Sequence, residues 1–455
     1  MRRKLGLLAL AVAMPLTLTA CVGGFAAGGG GSAGSGTGEV QYWLWDAGQL
    51  PAYQACADAF AAENPGVTAK ITQIGWGDYW TKLTAGFVGG TAPDVFADHL
   101  SKYPEFMVNE QLLPLDDLIA RDSVPTDIYQ PRLADLWVGA DGKRYGLPKD
   151  WDTVAVFYNE AMTDDAGISK EQLDSLEWNP TDGGTYEQAI AHLTVDDNGV
   201  RGDEPGFDKD NVRTYGIGLS ESGGAVGQTQ WSMYTGSVGD WTFTDRDTWG
   251  THFNYDAPQF QETIGWFRSL IDKGYMPPLE KTVGASNIDQ FGAGNYAMIT
   301  EGSWNTNTIT GSAGLTVGIA PTPIGPSGQR ASMFNGLADS IWSGSQNQEA
   351  AWKWVKYLAS PACQNQVGEQ GVVFPAIRTG TEAAQAAFEG RGIDVTAFTR
   401  HIEEGTTVLF PLTEHGAAII QIMTPAMDSV INFSADPSSL TEANDQVNSL
   451  FPQTG

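Results

Sequence analysis

The sequence predicts an α/β fold built on parallel strands joined by crossover helices. Three observations lead there. Stretches of strand chemistry alternate with helical periodicity over the first hundred residues that follow the N-terminal leader. Hydrophobic residues make up 42% of the chain and charged residues 17%, the balance of a packed globular protein and not of a disordered one. At about 100–200 residues per domain, a chain of 455 residues holds two or three units with cores of their own.

Val40-Gln41-Tyr42-Trp43-Leu44-Trp45 has strand composition. Pro51 to Glu63 carries apolar residues at helical spacing (Tyr53, Cys56, Ala57, Phe60) and stops at Asn64-Pro65-Gly66. Val67–Ile74 alternates as a strand, Asp78–Phe87 reads as a helix ended by Gly89-Gly90, and Pro93–Ala97 as a third strand. In such sheets a ligand sits beyond the carboxyl ends of the strands. That rule brings Trp45-Asp46, the loop Gly75-Trp76-Gly77 and Asp98-His99 to one crevice. Tyr145–Asp152 is predicted to be a polar-aromatic turn feeding a strand over Thr153–Asn159. Residues 163–227 read as loop-rich. Helices are expected over Gln259–Gly274, Gln348–Leu358, Glu414–Phe433 and Leu440–Leu450, and no internal repeat is present.

Charge narrows the partners. With 25 Lys+Arg against 54 Asp+Glu the net charge is −29, which repels nucleic-acid backbones and anionic membrane surfaces alike. Attachment to lipid must therefore be covalent or hydrophobic. The N-terminus supplies a route: Met1-Arg2-Arg3-Lys4 is basic, and Leu5–Leu18 is apolar but too short and interrupted to span a bilayer. Leu18-Thr19-Ala20-Cys21 resembles the lipobox of bacterial lipoproteins. That resemblance implies a signal peptide over 1–20, cleaved before a diacylated Cys21. Residues 22–38, mostly Gly, Ser and Ala, form with Cys21 a lipid-anchored tether over 21–38. Its root-mean-square reach is on the order of 20–25 Å. Cys56 and Cys363 remain; in an exported chain two such thiols are expected to pair, the alternative being two buried free thiols.

Catalytic and metal signatures are sparse. No Gly-x-Ser-x-Gly elbow occurs at a strand-to-helix turn, no phosphate loop is present, and the five His show no His-Glu-x-x-His spacing. Asp196-Asp197-Asn198-Gly199 through Asp203 gathers oxygen ligands around a turn, but without EF-hand spacing, and is read as a surface loop. No cofactor, catalytic group or metal ligand is therefore assigned.

Four stretches in order resemble the bacterial extracellular solute-binding proteins of family 1, the sugar-binding lipoproteins that feed ABC importers, akin to maltose- and multiple-sugar-binding types. They are Phe60–Val67, Ala92–Phe96, Leu147–Thr153 leading into Phe157-Tyr158-Asn159, and Phe291–Met298 closing at Glu301-Gly302-Ser303-Trp304; Ala338–Leu358 continues the pattern. The resemblance implies a two-lobed periplasmic-binding-protein-like α/β fold with a multi-crossing hinge. The first lobe would hold 39–152 and 336–380, the second 153–335 and 381–455. It further implies an extracytoplasmic monomer, lipid-anchored to the cell membrane, that binds a neutral sugar or oligosaccharide and docks on an ABC permease.

A pyranose has one apolar face, which a rigid indole covers, and a belt of hydroxyls, which carboxylates accept in charge-assisted hydrogen bonds. The candidate ligand residues are accordingly Trp45, Asp46, Trp76, Asp98, His99, Trp151, Asp152, Trp231, Glu301 and Trp304. Trp304 matches the position at which the family stacks a sugar, and Asp152 falls at the first crossing. Core packing is the competing role for Trp45 and Trp231, and hinge packing for Asp152. Trp241, Trp249 and Trp266 read as structural. The rival function is a lipid-anchored glycoside hydrolase, which needs two carboxylates about 5–5.5 or 6.5–9.5 Å apart; an adhesin is disfavoured because it needs neither hinge nor cleft.

Overall fold

A computed structural model describes residues 36–452. The signal peptide, Cys21 and most of the tether lie outside the described residues. Two sheets organise the chain. The first contains β1 (Gly38–Leu44), β2 (Val67–Gln73), β3 (Val95–His99), β4 (Leu147–Asp152), β10 (Ser332–Ile341), β11 (Phe374–Pro375) and β12 (Thr407–Leu409). Its order is β11-β4-β10-β3-β1-β2, with β12 on β10. The second contains β5 (Val154–Asn159), β6 (Val195–Asp196), β7 (Val212–Ile217), β8 (Tyr296–Gly302) and β9 (Val317–Ala320), in the order β6-β7-β8-β5-β9.

The opening follows the expected logic. β1 buries Val40, Tyr42 and Leu44 by alternation, and α1 (Leu50–Glu63) carries Pro51 in its first turn and is capped by Asn64. β1 pairs in parallel with β2 and β3, as crossover helices require. The rest departs from a parallel sheet. β10 enters antiparallel between β3 and β4, and in the second sheet only the β7–β8 pair is parallel. The chain has left the first sheet and returned from the far side, so β10 needs no crossover helix and is free to run the other way.

Leu147–Asp152, expected as a turn, is a strand buried along its whole length. Its polar residues are tolerated because they find partners: Lys149 Nζ lies 2.6 Å from Gln49 Oε1, 3.4 Å from Asp150 Oδ2 and 3.6 Å from the Tyr53 ring centre. The stretch 163–227 also holds more structure than expected, including the helix Gly184–Leu193 and β7. Both are short and flanked by Gly and Asp, so tertiary packing decides them where local signals are weak.

A single residue, Thr153, separates β4 in one sheet from β5 in the other; residues 321–331 and 410–415 make the later crossings. Of the segment 381–455, expected wholly in the second lobe, the helix Arg378–Glu389 packs on β11 through Phe388 and Phe374, with the Thr381 hydroxyl donating to the Pro375 carbonyl, and β12 bonds to β10; residues 332–335, also expected there, belong to β10 of the first sheet. The helices Gly416–Ile431 and Leu440–Asn448 lie with the second: the Ser222 hydroxyl donates to Asp428, and Asn444 and Asn448 accept from the backbone N–H of Tyr255 and Phe253. Cys56 on α1 and Cys363 on the helix Pro361–Glu369 form a disulfide, their Cα atoms 5.3 Å apart, which settles the choice left open by the sequence. Among the described residues no helix is long and apolar enough to cross a membrane.

Candidate ligand-binding site

α2 (Trp76–Gly89) starts at Gly75, and Trp76, Tyr79 and Trp80 occupy positions i, i+3 and i+4, so their rings share one helical face. Trp45, just beyond β1, meets that face at ring-centroid distances of 5.2 Å to Trp76, 5.2 Å to Tyr79 and 5.4 Å to Trp80. The Tyr79 hydroxyl anchors the helix by donating to the Ala97 carbonyl at 2.8 Å. His99, closing β3, adds its ring 5.5 Å from Trp76 and 6.4 Å from Trp45. These aromatics form one platform, of which Trp76 is 48% exposed and free to meet a partner.

The platform runs directly into a polar chain. His99 Nε2 is 3.0 Å from Asn335 Nδ2, which donates to Asp152 Oδ2 at 3.0 Å; Gln228 Nε2 donates to the other oxygen, Oδ1, at 2.8 Å. Asn335, in β10, lies directly opposite Asp152, in β4, in an antiparallel register, which is why their side chains meet. Burial, then Asp150 and Glu301, push the Asp152 carboxyl well above the usual range against the pull of its two amide donors. Burial and Lys102 lower His99 to about 3, so its ring is neutral and offers one donor and one acceptor. Glu301, in β8, accepts from the Gly302 N–H at 2.9 Å, and burial raises its pKa to about 7. Trp304 follows on a single helical turn with its ring folded over Gly302, where any Cβ would collide with it.

The structure thus gathers Trp45, Trp76, His99 and Asp152, with Glu301 as the carboxylate electrostatically coupled to Asp152 and Trp304 three residues further on. It does not gather the others. Trp151 is 2% exposed, stacked 4.8 Å from Phe374 and donating to the Thr381 hydroxyl: strand alternation turns it away from Asp152 into the core. Trp231 is fully buried against Phe243 and Phe260 in the second lobe. Both are corrections to the expected ligand set. Asp98 is sealed in, one residue out of phase with His99; its pKa rises to about 8 through burial and its Oδ2 has no hydrogen-bond partner. Asp46 closes the turn before α1 by accepting from the Gly48 N–H and from Gln49 Nε2. In the acidic loop, the Asp196 carboxylate is taken up by the N–H groups of Asn198, Val200 and Asp208. No group of three or more His, Cys, Asp or Glu placed to hold a metal ion occurs among the described residues.

Sequence reasoning missed Trp80, Gln228, Asn335 and Phe410, the last 5.6 Å from the His99 ring. Trp80 was legible as the i+4 partner of Trp76. Gln228 follows the turns at Gly223-Gly224 and Gly227 and has neither ring nor charge to single it out. Asn335 has no local signal, because only strand register places it beside Asp152.

Comparison with known proteins agrees with this architecture. The family model described as bacterial extracellular solute-binding protein matches residues 45–365. A putative binding protein of Brucella abortus (strain 2308) is 23% identical over 401 residues, covering 86% of this chain and 87% of its own. The crystal structure of UspC from M. tuberculosis superposes with a TM-score of 0.71 at 26% identity, covering 90% of this chain and 99% of that one. The ABC substrate-binding protein Lmo0181 from Listeria monocytogenes, in complex with cycloalternan, reaches a TM-score of 0.76 at 19% identity, covering 90% and 98%. With its two α/β lobes, its repeated crossings between sheets and a family match over more than half its length, the chain belongs to the bacterial extracellular solute-binding protein family.

Proposed function

We propose that this protein captures a neutral sugar or oligosaccharide between its lobes and delivers it to an ABC permease. The single observation that carries the reading is the continuity of the aromatic platform Trp45-Trp76-Trp80-His99 with the Asn335–Asp152–Gln228 chain. Flat indole surface beside buried carboxylate is what the two chemistries of a pyranose require. The Listeria neighbour, solved in complex with cycloalternan, supports a carbohydrate ligand. In this reading the lobes are 39–152 with 332–389 and β12, and 153–331 with the remainder of 390–455, and they close over ligand because the closed form contacts it from both sides. Cys21 carries the lipid anchor, and the protein acts as a monomer outside the cytoplasm.

The test is a thermal-shift screen over mono- and oligosaccharides, in which a ligand at 100 times its dissociation constant stabilises by about 2.7 kcal/mol. Calorimetry on Trp304→Ala then examines the second wall. We expect at least a tenfold loss of affinity with cooperative unfolding retained, and unchanged affinity removes Trp304 from the site. Stoichiometric binding without product release supports a receptor; turnover of oligosaccharide would establish the glycoside hydrolase instead.

A further inference from the structure

Ile420 and Val283 are aliphatic yet exposed, by 41% and 81%. Both line one open groove of about 590 Å³ in the second lobe. The helix Gly416–Ile431 forms one wall: Ile420, Thr424 and Asp428 stand at i, i+4 and i+8 and share a face about 12 Å long. Against it runs the loop 220–226, where Gly224 comes so close to Thr424 that a Cβ would lie 2.9 Å from the hydroxyl. Residues from 279–285 complete the lining.

Three links join this groove to the candidate site. β7 and β8 are parallel, so the loop after β7 leaves the second sheet at the end that carries Glu301. The same loop continues to Gln228, which donates to Asp152. Phe410, whose ring is 5.6 Å from His99, lines a smaller apolar cavity with Leu100 of the first lobe. Ala225, Val226 and Ile420 border both that cavity and the groove, so platform, cavity and groove are contiguous.

The lining decides what fits. Among the described residues no aromatic ring and no Lys, Arg or His borders the groove. It therefore offers no plane to a pyranose face and no cation to a phosphate or carboxylate, and exposed Glu221 repels an anionic tail. Its other polar groups are largely taken up within the wall. The Ser222 hydroxyl donates to Asp428, the Thr282 hydroxyl donates to the Leu279 carbonyl, and Ser220 accepts from Gln230 Nε2. What remains for a ligand is aliphatic surface, from Ala225, Val226, Leu279, Val283, Ala285 and Ile420. Such a surface gains by burying C–H groups. We propose that the groove takes an uncharged aliphatic chain joined to the sugar, so that the ligand is an alkyl-bearing glycoside. Its ring lies on the aromatic platform and its chain between the loop 220–226 and the helix. The proposal rests on the reading that the site binds a carbohydrate.

Calorimetry on the full chain compares methyl and n-hexyl glycosides of glucose, galactose, mannose and maltose below their micellar concentrations. Each methylene that enters the groove should tighten binding about two- to fourfold, so a hexyl glycoside should bind roughly tenfold or more tighter than its methyl counterpart. Ile420→Ser combined with Val283→Ser should bring that ratio below about threefold. Both side chains are exposed, so the fold does not depend on them. A hexyl-to-methyl ratio near one, or a ratio that the double variant leaves intact, overturns the groove while the carbohydrate reading stands. 1-Hexanol probes the groove without a sugar: it should shift the Ile420 and Val283 methyl resonances saturably, and unmoved methyls overturn the proposal. Saturable shifts with no glycoside of the series bound would keep an aliphatic groove and overturn its link to a sugar.

Discussion

Glu301→Gln should make the protein more stable at pH 8 and leave it nearly unchanged at pH 4. In the folded protein burial raises the Glu301 pKa from 4.5 to about 7. The folded state therefore keeps a proton that the unfolded chain releases as pH rises past 4.5. Stability is lost progressively through that window, and the loss is complete above 7. At about 1.4 kcal/mol per pKa unit, the ionised carboxylate costs about 3 kcal/mol at pH 8. Gln keeps an oxygen to accept the Gly302 N–H and has no charge to desolvate. At roughly 2–4 °C per kcal/mol for a unit of 150–250 residues, Tm should rise by about 6 °C or more at pH 8. The assay is thermal unfolding of both proteins at half-unit steps from pH 4 to 8.5. A Tm difference that stays flat across that range would refute the argument, since a shape or packing effect has no reason to titrate. The same residue then carries a functional consequence: a carboxylate held at the expense of stability is a strong acceptor for a ligand hydroxyl, so sugar affinity should fall as pH drops below about 7.

Other expectations follow from exposure and covalent topology. Trp76→Ala should weaken sugar binding at least tenfold by calorimetry, yet move the denaturation midpoint little, because nearly half of Trp76 already faces solvent. Reducing the Cys56–Cys363 disulfide, whose partners are separated by 307 residues, releases a constraint worth at most about 5 kcal/mol in the unfolded chain. Urea unfolding with and without reductant should show a lower midpoint in the reduced form, and equal midpoints would mean the bridge adds nothing.

Much of the aromatic half of the candidate site follows from local sequence. Trp45 ends the strand pattern and Trp76 lies in the glycine loop, and both positions fall at the carboxyl end of a parallel sheet by rule; that Trp76 is itself the first residue of the helix, only the structure shows. His99 followed from the same rule. The acidic half was read less well. Asp150-Trp151-Asp152 offered three neighbouring candidates, and strand alternation gave Asp152 to the site and Trp151 to the core. Asp98 alternates with His99 along β3, so its carboxyl is turned away from the His99 ring and sealed in. Trp231 looked available because glycines precede it, but those glycines let the chain wrap around its indole, with Gly227 too close to it to carry a side chain.

The α/β class, the order of the early strands and helices, an excess of negative charge that opposes phosphate-backbone partners, and the family all follow from the amino-acid sequence. Those depend on local periodicity and composition, which the chain carries wherever it folds. It takes the folded molecule to show that β10 runs antiparallel between β3 and β4, setting Asn335 opposite Asp152, and that the Trp249 N–H reaches the Val138 carbonyl. Contacts between residues more than a hundred positions apart depend on register and docking, and these are settled by the packing of the whole molecule.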